Sequence, residues 1–254
     1  MPTHISPKSA ESAATPIVSI HELRARCSNC SMRELCLPYG LEQHDLHQLD
    51  QLVASRHRLK KGEILFRPGD PFTALHAVRL GSTMTTVLAE DGREQVCGYH
   101  LPGDLLGLDG VEAGQHRGQS IALEDSEICS LPLERLEELA RHAPALQRNL
   151  LRFMSREIDR DHYMMLLLGS MRAEERLAAF LLNLAHRYRQ RGYSSTEFVL
   201  RMTREEIGSF LGLKLETVSR LFSRFQQEGL VQTQGRAVKL LDVTALKQLA
   251  GQRC

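Results

Sequence analysis

Hydrophobic and polar positions follow two different periods along this chain. Between Leu59 and Leu133, short strand-like runs are separated by turns that contain glycine. The runs are EILFRPGD (63–70), LHAVRLGS (75–82), REQVCGYHLPGD (93–104) and SEICSLP (126–132). Regularly spaced short strands of this kind predict a β-roll or barrel. Asp91-Gly92, between two of the runs, predicts a hairpin.

From Pro144 to Gly169 the period becomes helical. Six positions advance in steps of 3, 4, 3, 4 and 3 residues, and they are Leu151, Met154, Ile158, Asp161, Met165 and Leu168. This is the a/d seam of a helix that pairs with another helix, so it predicts a dimer. The alternative is a helix that packs on its own domain.

Asp161 is the polar member of this seam. In a parallel dimer it faces its own copy, and two close carboxylates resist joint ionisation. We therefore interpret Ile158 and Asp161 as a candidate dimer switch, in which Asp161 weakens the pair. The alternative is a slightly rotated helix with Asp161 in water.

The segment REEIGSFLGLKLETVSRLFS (204–223) predicts a helix-turn-helix. A small residue at Gly208 lets two helices approach, and Gly212 permits the tight turn. The predicted buried face consists of Leu211, Val218, Leu221, Phe222 and Phe225.

The opposite face of the second helix has the residue types that read DNA. Glu216, Ser219, Arg220 and Ser223 fall at i, i+3, i+4 and i+7, with Thr217 as a further candidate. Arginine can bond guanine in two places, and glutamate can accept from cytosine N4. Arg220 alone is also compatible with a phosphate contact or with a solvated side chain.

A hairpin is expected after this helix, in LVQTQGRAVKLL (230–241), with its turn at Gly235. Arg236 and Lys239 are its candidate phosphate contacts, which position a protein without reading sequence. Residues 172–254 hold 14 Lys and Arg against 8 Asp and Glu, a net charge of +6, whereas residues 1–171 carry −5. This asymmetry suggests a polyanionic partner for the C-terminal third.

The composition, 42% hydrophobic and 25% charged, is globular. The apolar runs, such as Met164 to Leu168, are too short to cross a membrane, and the first residues lack the apolar core of a signal peptide. We therefore expect a cytoplasmic protein with no membrane contact. Residues 1–20 predict a disordered lead-in.

Three of the six cysteines lie within ten residues: Cys27, Cys30 and Cys36, in CSNCSMRELCLP. Clustered cysteines in a cytoplasmic protein more often bind metal than form disulfides. Three thiolates need a fourth ligand, and the spacing leaves Cys97, Cys129 and Cys254 as candidates. Zinc and an iron–sulfur cluster both suit four thiolates.

The order of β-roll, long helix and winged helix resembles the CRP/FNR superfamily of bacterial regulators, and the cysteines resemble its oxygen-sensing FNR branch with its Anr-type members. The resemblance spans Cys27 to about Ala250. The matching segments are CSNCSMRELCLP, GREQ (92–95), GYHLPGDLLG, ICSLPLERL, MSREI, MMLLL, AEERLAAFL and LETVSRLFSRFQ.

The resemblance implies an oxygen-labile 4Fe–4S cluster on Cys27, Cys30, Cys36 and Cys129. It leaves Cys97 as a core or semi-buried thiol and Cys254 on a terminal tail. It also implies a homodimer that reads a palindrome of TTGAT-like half-sites in double-stranded DNA, with Arg220 on the guanine, Glu216 on the opposite cytosine and Ser219 beside them. RNA polymerase is an implied partner, with contacts near Asp91-Gly92.

The other main branch of the superfamily binds cyclic AMP through a glutamate and an Arg-Ser pair. Here Leu108 stands at the glutamate position, and Arg117 is followed by Gly118, so no cyclic nucleotide is expected. Two alternatives stay open: a ligand-binding regulator with structural zinc, and a redox enzyme with an iron–sulfur centre. The sequence has no nucleotide-binding fingerprint and no constellation of catalytic residues. We therefore expect that the protein is not an enzyme.

The predicted fold class is α+β. It comprises a β-roll sensor domain of the cupin-like or cyclic-nucleotide-binding type, a long dimerisation helix and a C-terminal winged helix-turn-helix. The predicted bounds are 1–20 for the lead-in, 21–143 for the cysteine segment and roll, 144–171 for the helix and 172–254 for the DNA-binding domain.

Overall fold

A computed structural model of the chain describes residues 26–53, 55–88 and 92–251. The predicted lead-in of residues 1–20 lies outside this range. Within the described residues, no helix is long and apolar enough to cross a membrane.

Two antiparallel four-stranded sheets form the β-roll, as predicted. The first sheet has the order β1-β8-β3-β6 and the second has the order β2-β7-β4-β5. A buried set between the sheets includes Phe66, Val78, Leu106 and Ile128. The strands are β1 (Ser55–Leu59), β2 (Ile64–Phe66), β3 (Ala74–Leu80), β4 (Thr83–Leu88), β5 (Glu94–His100), β6 (Leu105–Leu106), β7 (Gln119–Ala122) and β8 (Ser126–Pro132).

Two helices of the N-terminal half were not predicted from the sequence pattern, which indicated strands. Helix α1 (Gln43–Leu52) follows the cysteine segment, and α2 (Leu133–His142) follows β8. Leu49 of α1 and Leu136 of α2 are fully buried in the same hydrophobic cluster as Leu37 of the cysteine segment. The cysteine segment therefore rests on a helical layer as well as on the roll.

Helix α3 (Pro144–Ser170) carries two different stripes. The inward stripe includes Leu146, Asn149, Phe153 and Leu167, all buried against the rest of the chain. The predicted seam lies outside this stripe: Leu151, Ile158 and Met165 expose 60%, 52% and 62% of their surface. The seam therefore does not pack on its own domain, which was the alternative interpretation.

The C-terminal part is a winged helix, as predicted. Its three-stranded sheet has the order β10-β11-β9, and its core includes the fully buried Leu177, Ile207, Phe225 and Val238. The elements are α4 (Ala173–Gln190), β9 (Glu197–Val199), α5 (Arg204–Leu211), α6 (Leu215–Gln227), β10 (Val231–Gln234), β11 (Ala237–Leu240) and α7 (Val243–Leu249).

Candidate metal centre and nucleic-acid interface

Four cysteines that are distant in sequence line one pocket. Cys27, Cys30 and Cys36 come from the turns that precede α1, and Cys129 comes from the middle of β8. Cys129 pairs across the sheet with Ala77 of β3, which also lines the pocket. The remaining walls are mostly apolar and include Leu37, Leu49, Val78 and Leu131, with Arg33 and Arg79 among them.

Side-chain hydrogen bonds from two helices hold the cysteine segment in place. Asp50 of α1 accepts from the Ser28 backbone N–H at 3.2 Å and from the Ser28 hydroxyl at 2.7 Å. Asn149 of α3 donates from Nδ2 to the carbonyl oxygens of Leu37 and Tyr39, at 2.8 and 2.6 Å. Asn149 is buried, so these bonds are shielded from water.

The thiols influence one another electrostatically. Burial and then the nearby Cys36 and Cys129 raise the pKa of Cys27 far above its usual range. Burial raises the pKa of Cys36 to about 12, and Cys30 and Cys129 add to this effect. Cys27 and Cys36 are therefore protonated in the metal-free chain at neutral pH, and cation binding has to displace their protons.

Arginines lie near the thiol that comes from the roll. Burial and Cys30 raise the pKa of Cys129, while Arg56 and Arg79 act in the opposite direction. Both arginines also pair with Glu127, which is two residues before Cys129 on β8. These cations would offset part of the negative charge of a thiolate-ligated centre.

The chemistry of this donor set fits a thiolate-ligated metal centre. In the described residues, no group of three or more His, Cys, Asp or Glu side chains is arranged to hold a metal ion. Here the four thiols line one cavity without surrounding a single ion. The cavity that these thiols line together with their apolar neighbours has a volume of about 30 Å³.

Cys97 does not take the expected core position. It lies on β5, in the other sheet, and its side chain is exposed, so the expectation of a core position was wrong, although partial burial of the thiol raises its pKa to about 11. The alternation of the strand is the reason: Val96 points inward, and the next side chain points outward. The Cys97 thiol donates a hydrogen bond to the carbonyl oxygen of Thr85. Cys254 lies outside the described residues.

The helix-turn-helix has the local geometry expected from its sequence. Thr203 caps α5 through a reciprocal capping box with Glu206. Gly212 ends the helix at φ 62°, a conformation that favours glycine. A Cβ at Gly208 would lie 2.6 Å from the Leu213 carbonyl oxygen, so the turn approaches too closely for a side chain. The predicted buried face is confirmed: Leu211, Val218, Leu221, Phe222 and Phe225 are all buried.

The candidate base-reading residues lie on the open side of α6. Glu216, Ser219, Arg220 and Ser223 are exposed, and Thr217 is half-buried at the edge of this face. The Ser223 hydroxyl donates to the Ser219 carbonyl oxygen at 3.1 Å. Two turns of exposed helix therefore present a carboxylate, a guanidinium and hydroxyl groups, which is a set of groups that can read base edges.

The predicted wing is also present. Strands β10 and β11 form a hairpin that turns at Gly235, with φ 60°. Arg236 is exposed and donates from Nη1 to the Arg201 carbonyl oxygen, while Lys239 lies 3.9 Å from Glu197. Both side chains are at the surface, and their roles as phosphate contacts stay predictions.

Comparison with known proteins decides the family. The model of the Crp-like helix-turn-helix domain matches residues 175–249, and that of the cyclic nucleotide-binding domain matches residues 56–143. The chain is 50% identical over 228 residues to the transcriptional regulatory protein btr of Bordetella pertussis, covering 90% of this chain and 94% of that protein. It is 48% identical over 228 residues to the transcriptional activator protein anr of Pseudomonas aeruginosa, covering 90% and 93%.

The chain belongs to the CRP/FNR family of transcription regulators. The structure of FixK2 from Bradyrhizobium japonicum has the same fold, with a TM-score of 0.71 and 32% identity over 78% of this chain and 98% of that one. The helix-turn-helix of this CRP/FNR protein is therefore a DNA-binding module. Its named relatives are transcription regulators rather than enzymes.

Two polar residues of this CRP/FNR protein were not predicted from the sequence. Asn149 is an amide in the otherwise apolar inward stripe of α3. A polar side chain at an apolar position of the helix is the sequence signal that could have identified this residue. Asp104 is a buried carboxylate that meets three arginines. No signal near Asp104 in the sequence predicted this, because its partners lie 56 to 87 positions away.

Proposed function

We propose that this protein is an oxygen-responsive transcription activator whose cysteine pocket holds a 4Fe–4S cluster. The observation that carries the proposal is that Cys27, Cys30, Cys36 and Cys129 line one pocket, although up to 102 positions separate them. The 48% identity to an activator named anr supports it further. We also place the protein in the cytoplasm, where free cysteines persist.

The four cysteines would hold the cluster as thiolates. When bound, such a cluster supplies a centre that reacts with oxygen. Ligation would also tether the N-terminal segment to the roll, because three ligands lie on that segment and the fourth lies on β8. Asn149 then carries the position of that segment to α3 through the Leu37 and Tyr39 carbonyls.

The seam on α3 would form the dimer. Its apolar side chains, including Leu151, Ile158 and Met165, are more than half exposed. Pairing two copies would bury them, while the two Asp161 carboxylates would oppose each other. That opposition keeps the monomer and the dimer close in free energy, so a modest tethering energy decides between them.

In the dimer, two α6 helices would read a palindrome of TTGAT-like half-sites one DNA turn apart. Arg220 would contact the guanine and Glu216 the opposite cytosine, with Thr217, Ser219 and Ser223 at the edges. A carboxylate facing DNA is repelled by phosphates unless it bonds a base, so the exposed Glu216 favours direct reading. Arg236 and Lys239 of the wing would hold the phosphates.

Two further expectations belong to this proposal. RNA polymerase would bind near the β4–β5 turn; Asp91 lies outside the described residues, and Gly92 is at their edge. The roll would work without a cyclic nucleotide. In support, the Asp109 carboxylate already accepts from the Arg117 and Gly118 backbone N–H groups, at 2.8 and 3.1 Å, and so takes donors that a phosphate would need.

Absorption spectra before and after air exposure test the proposal against its rivals. Anaerobically prepared protein should be brown and should bind a TTGAT palindrome; air should bleach the colour and release the DNA. A colourless, air-stable protein that contains zinc would contradict the proposal and favour the ligand-binding regulator. An air-sensitive colour without any DNA binding would favour a redox enzyme instead.

A further inference from the structure

One buried carboxylate joins three parts of the chain. Asp104 lies in the turn after β5 and is only 6% exposed. Its Oδ2 accepts from Arg187 Nη2 at 2.5 Å, and its Oδ1 accepts from Arg191 Nη2 at 2.9 Å and from Arg160 Nη2 at 3.3 Å. Arg160 is on α3, whereas Arg187 and Arg191 are at the end of α4. The roll, the long helix and the DNA-binding domain therefore meet at this group.

The same arginines also bond the backbone of the roll. Arg187 Nη2 donates to the Tyr99 carbonyl oxygen at 2.8 Å, and Arg191 Nε donates to the Pro102 carbonyl oxygen at 2.7 Å. Burial by itself would raise the pKa of Asp104, but the three arginines hold it below its usual range. The carboxylate is therefore charged at neutral pH, and its bonds to the arginines are charge-assisted.

The DNA-binding domain makes a second contact with the roll at an open sheet edge. Strand β5 is the last strand of its sheet, so one side of its backbone has no partner strand. The Val96 backbone N–H donates to the Ser209 hydroxyl of α5 at 2.9 Å. Helix α5 is the first helix of the helix-turn-helix, so docking through α4 and α5 fixes the module against the roll.

The other side of the Asp104 turn touches the cysteine segment. Gly103 has φ 93°, and a Cβ at this position would lie 3.0 Å from the Leu35 Cβ. Leu35 immediately precedes Cys36. Because Gly103 and Asp104 are adjacent, the cysteine segment approaches the same turn that holds Arg187 and Arg191.

We propose that Asp104 and its three arginines form a latch that docks the DNA-binding domain on the roll. The latch carries the position of the cysteine segment to that domain within one chain, without passing through the dimer seam. This second part rests on the proposed function. Breaking a buried, charge-paired cluster leaves uncompensated charges, so the latch has two states, closed and open, rather than a graded response.

Amide hydrogen exchange of Asp104→Asn tests the latch directly, because this change removes the charge and keeps the shape. Exchange in residues 187–191 and at Val96 should become about 100-fold faster, the effect of leaving buried arginines without their partner. The control Asp159→Asn removes an exposed carboxylate of α3 and should leave these rates unchanged. Wild-type rates in Asp104→Asn would overturn the latch.

A second variant covers the case in which Asp104→Asn does not fold, as judged by circular dichroism. Ser209→Ala removes one hydroxyl from α5 and replaces it with a good helix former. It should accelerate exchange at Val96 by about 10-fold while the helical signal stays unchanged. Unchanged exchange at Val96 would overturn the docking of α5 on the sheet edge.

The transmission step is tested by comparing anaerobic and air-exposed protein, with the absorption spectrum recorded on each sample. In the wild type, exchange at 187–191 should differ about 10-fold between the two samples, and Asp104→Asn should abolish the difference. A chromophore that bleaches with no change in exchange would overturn transmission. Protein that has no chromophore would overturn the proposed function and transmission with it, whereas the Asp104→Asn result on the latch would stand.

Discussion

At the scale of single residues, side chains of the same type have different roles because their surroundings differ. Cys129 and Cys97 are both cysteines on strands of the roll. Cys129 lines the pocket beside three other thiols, whereas Cys97 points outward from an edge strand and bonds the Thr85 carbonyl. Two arginines differ in the same way, since Arg191 is buried against a carboxylate and Arg220 is exposed on the recognition helix.

Arg220→Ala should weaken binding to the specific palindrome by about 1–3 kcal/mol, because it would remove the bidentate base contact that we propose for Arg220. Binding to unrelated DNA should change much less. Titrations of both duplexes by fluorescence anisotropy at one fixed salt concentration measure this difference. Arg189→Ala, which removes an exposed arginine of α4, is the matched control. An equal loss on both duplexes would show that Arg220 touches only phosphate.

At the scale of elements, α3 has two faces with separate tasks. Its inward stripe is anchored by Asn149 to the cysteine segment and by Arg160 to Asp104. Its outward seam is exposed along the whole helix. Because both stripes belong to one continuous helix of 27 residues, we expect a shift of the inward stripe to move the seam as well.

Asp161→Ala should produce a dimer that binds DNA in air, because it removes the one carboxylate that opposes pairing along the seam. Analytical ultracentrifugation in air measures the association. Asp159→Ala, two residues away on the same helix and outside the seam, should stay monomeric. An Asp161→Ala protein that is also monomeric in air would show that Asp161 lies in water and plays no part in the switch.

At the scale of the whole molecule, local patterns in the sequence predicted more than long-range contacts. The roll, the seam helix and the winged helix follow from periodicity and turn residues, and the glycines at 208, 212 and 235 take the tight positions expected of them. Helices α1 and α2 were missed because each is only ten residues long and lies beside stronger strand signals.

At the candidate site, too, local sequence patterns predicted more than long-range contacts. The cysteine spacing predicted three ligands, but it left the fourth among three candidates until the family resemblance favoured Cys129. Geometry now supports that choice, since Cys129 shares the pocket and Cys97 does not. The Asp104 cluster was out of reach because its four members become neighbours only when the domains dock.

We propose that these four cysteines, with Cys129 as the fourth, hold the oxygen-sensitive cluster. The most direct test of this proposal is the visible absorption of anaerobically purified Cys129→Ser, compared with Cys97→Ser and the wild type, with iron and sulfide measured on the same samples. We expect Cys129→Ser to lose the brown chromophore, while Cys97→Ser keeps the wild-type spectrum and iron content. A coloured Cys129→Ser protein beside a colourless Cys97→Ser protein would contradict the proposal and reassign the fourth ligand.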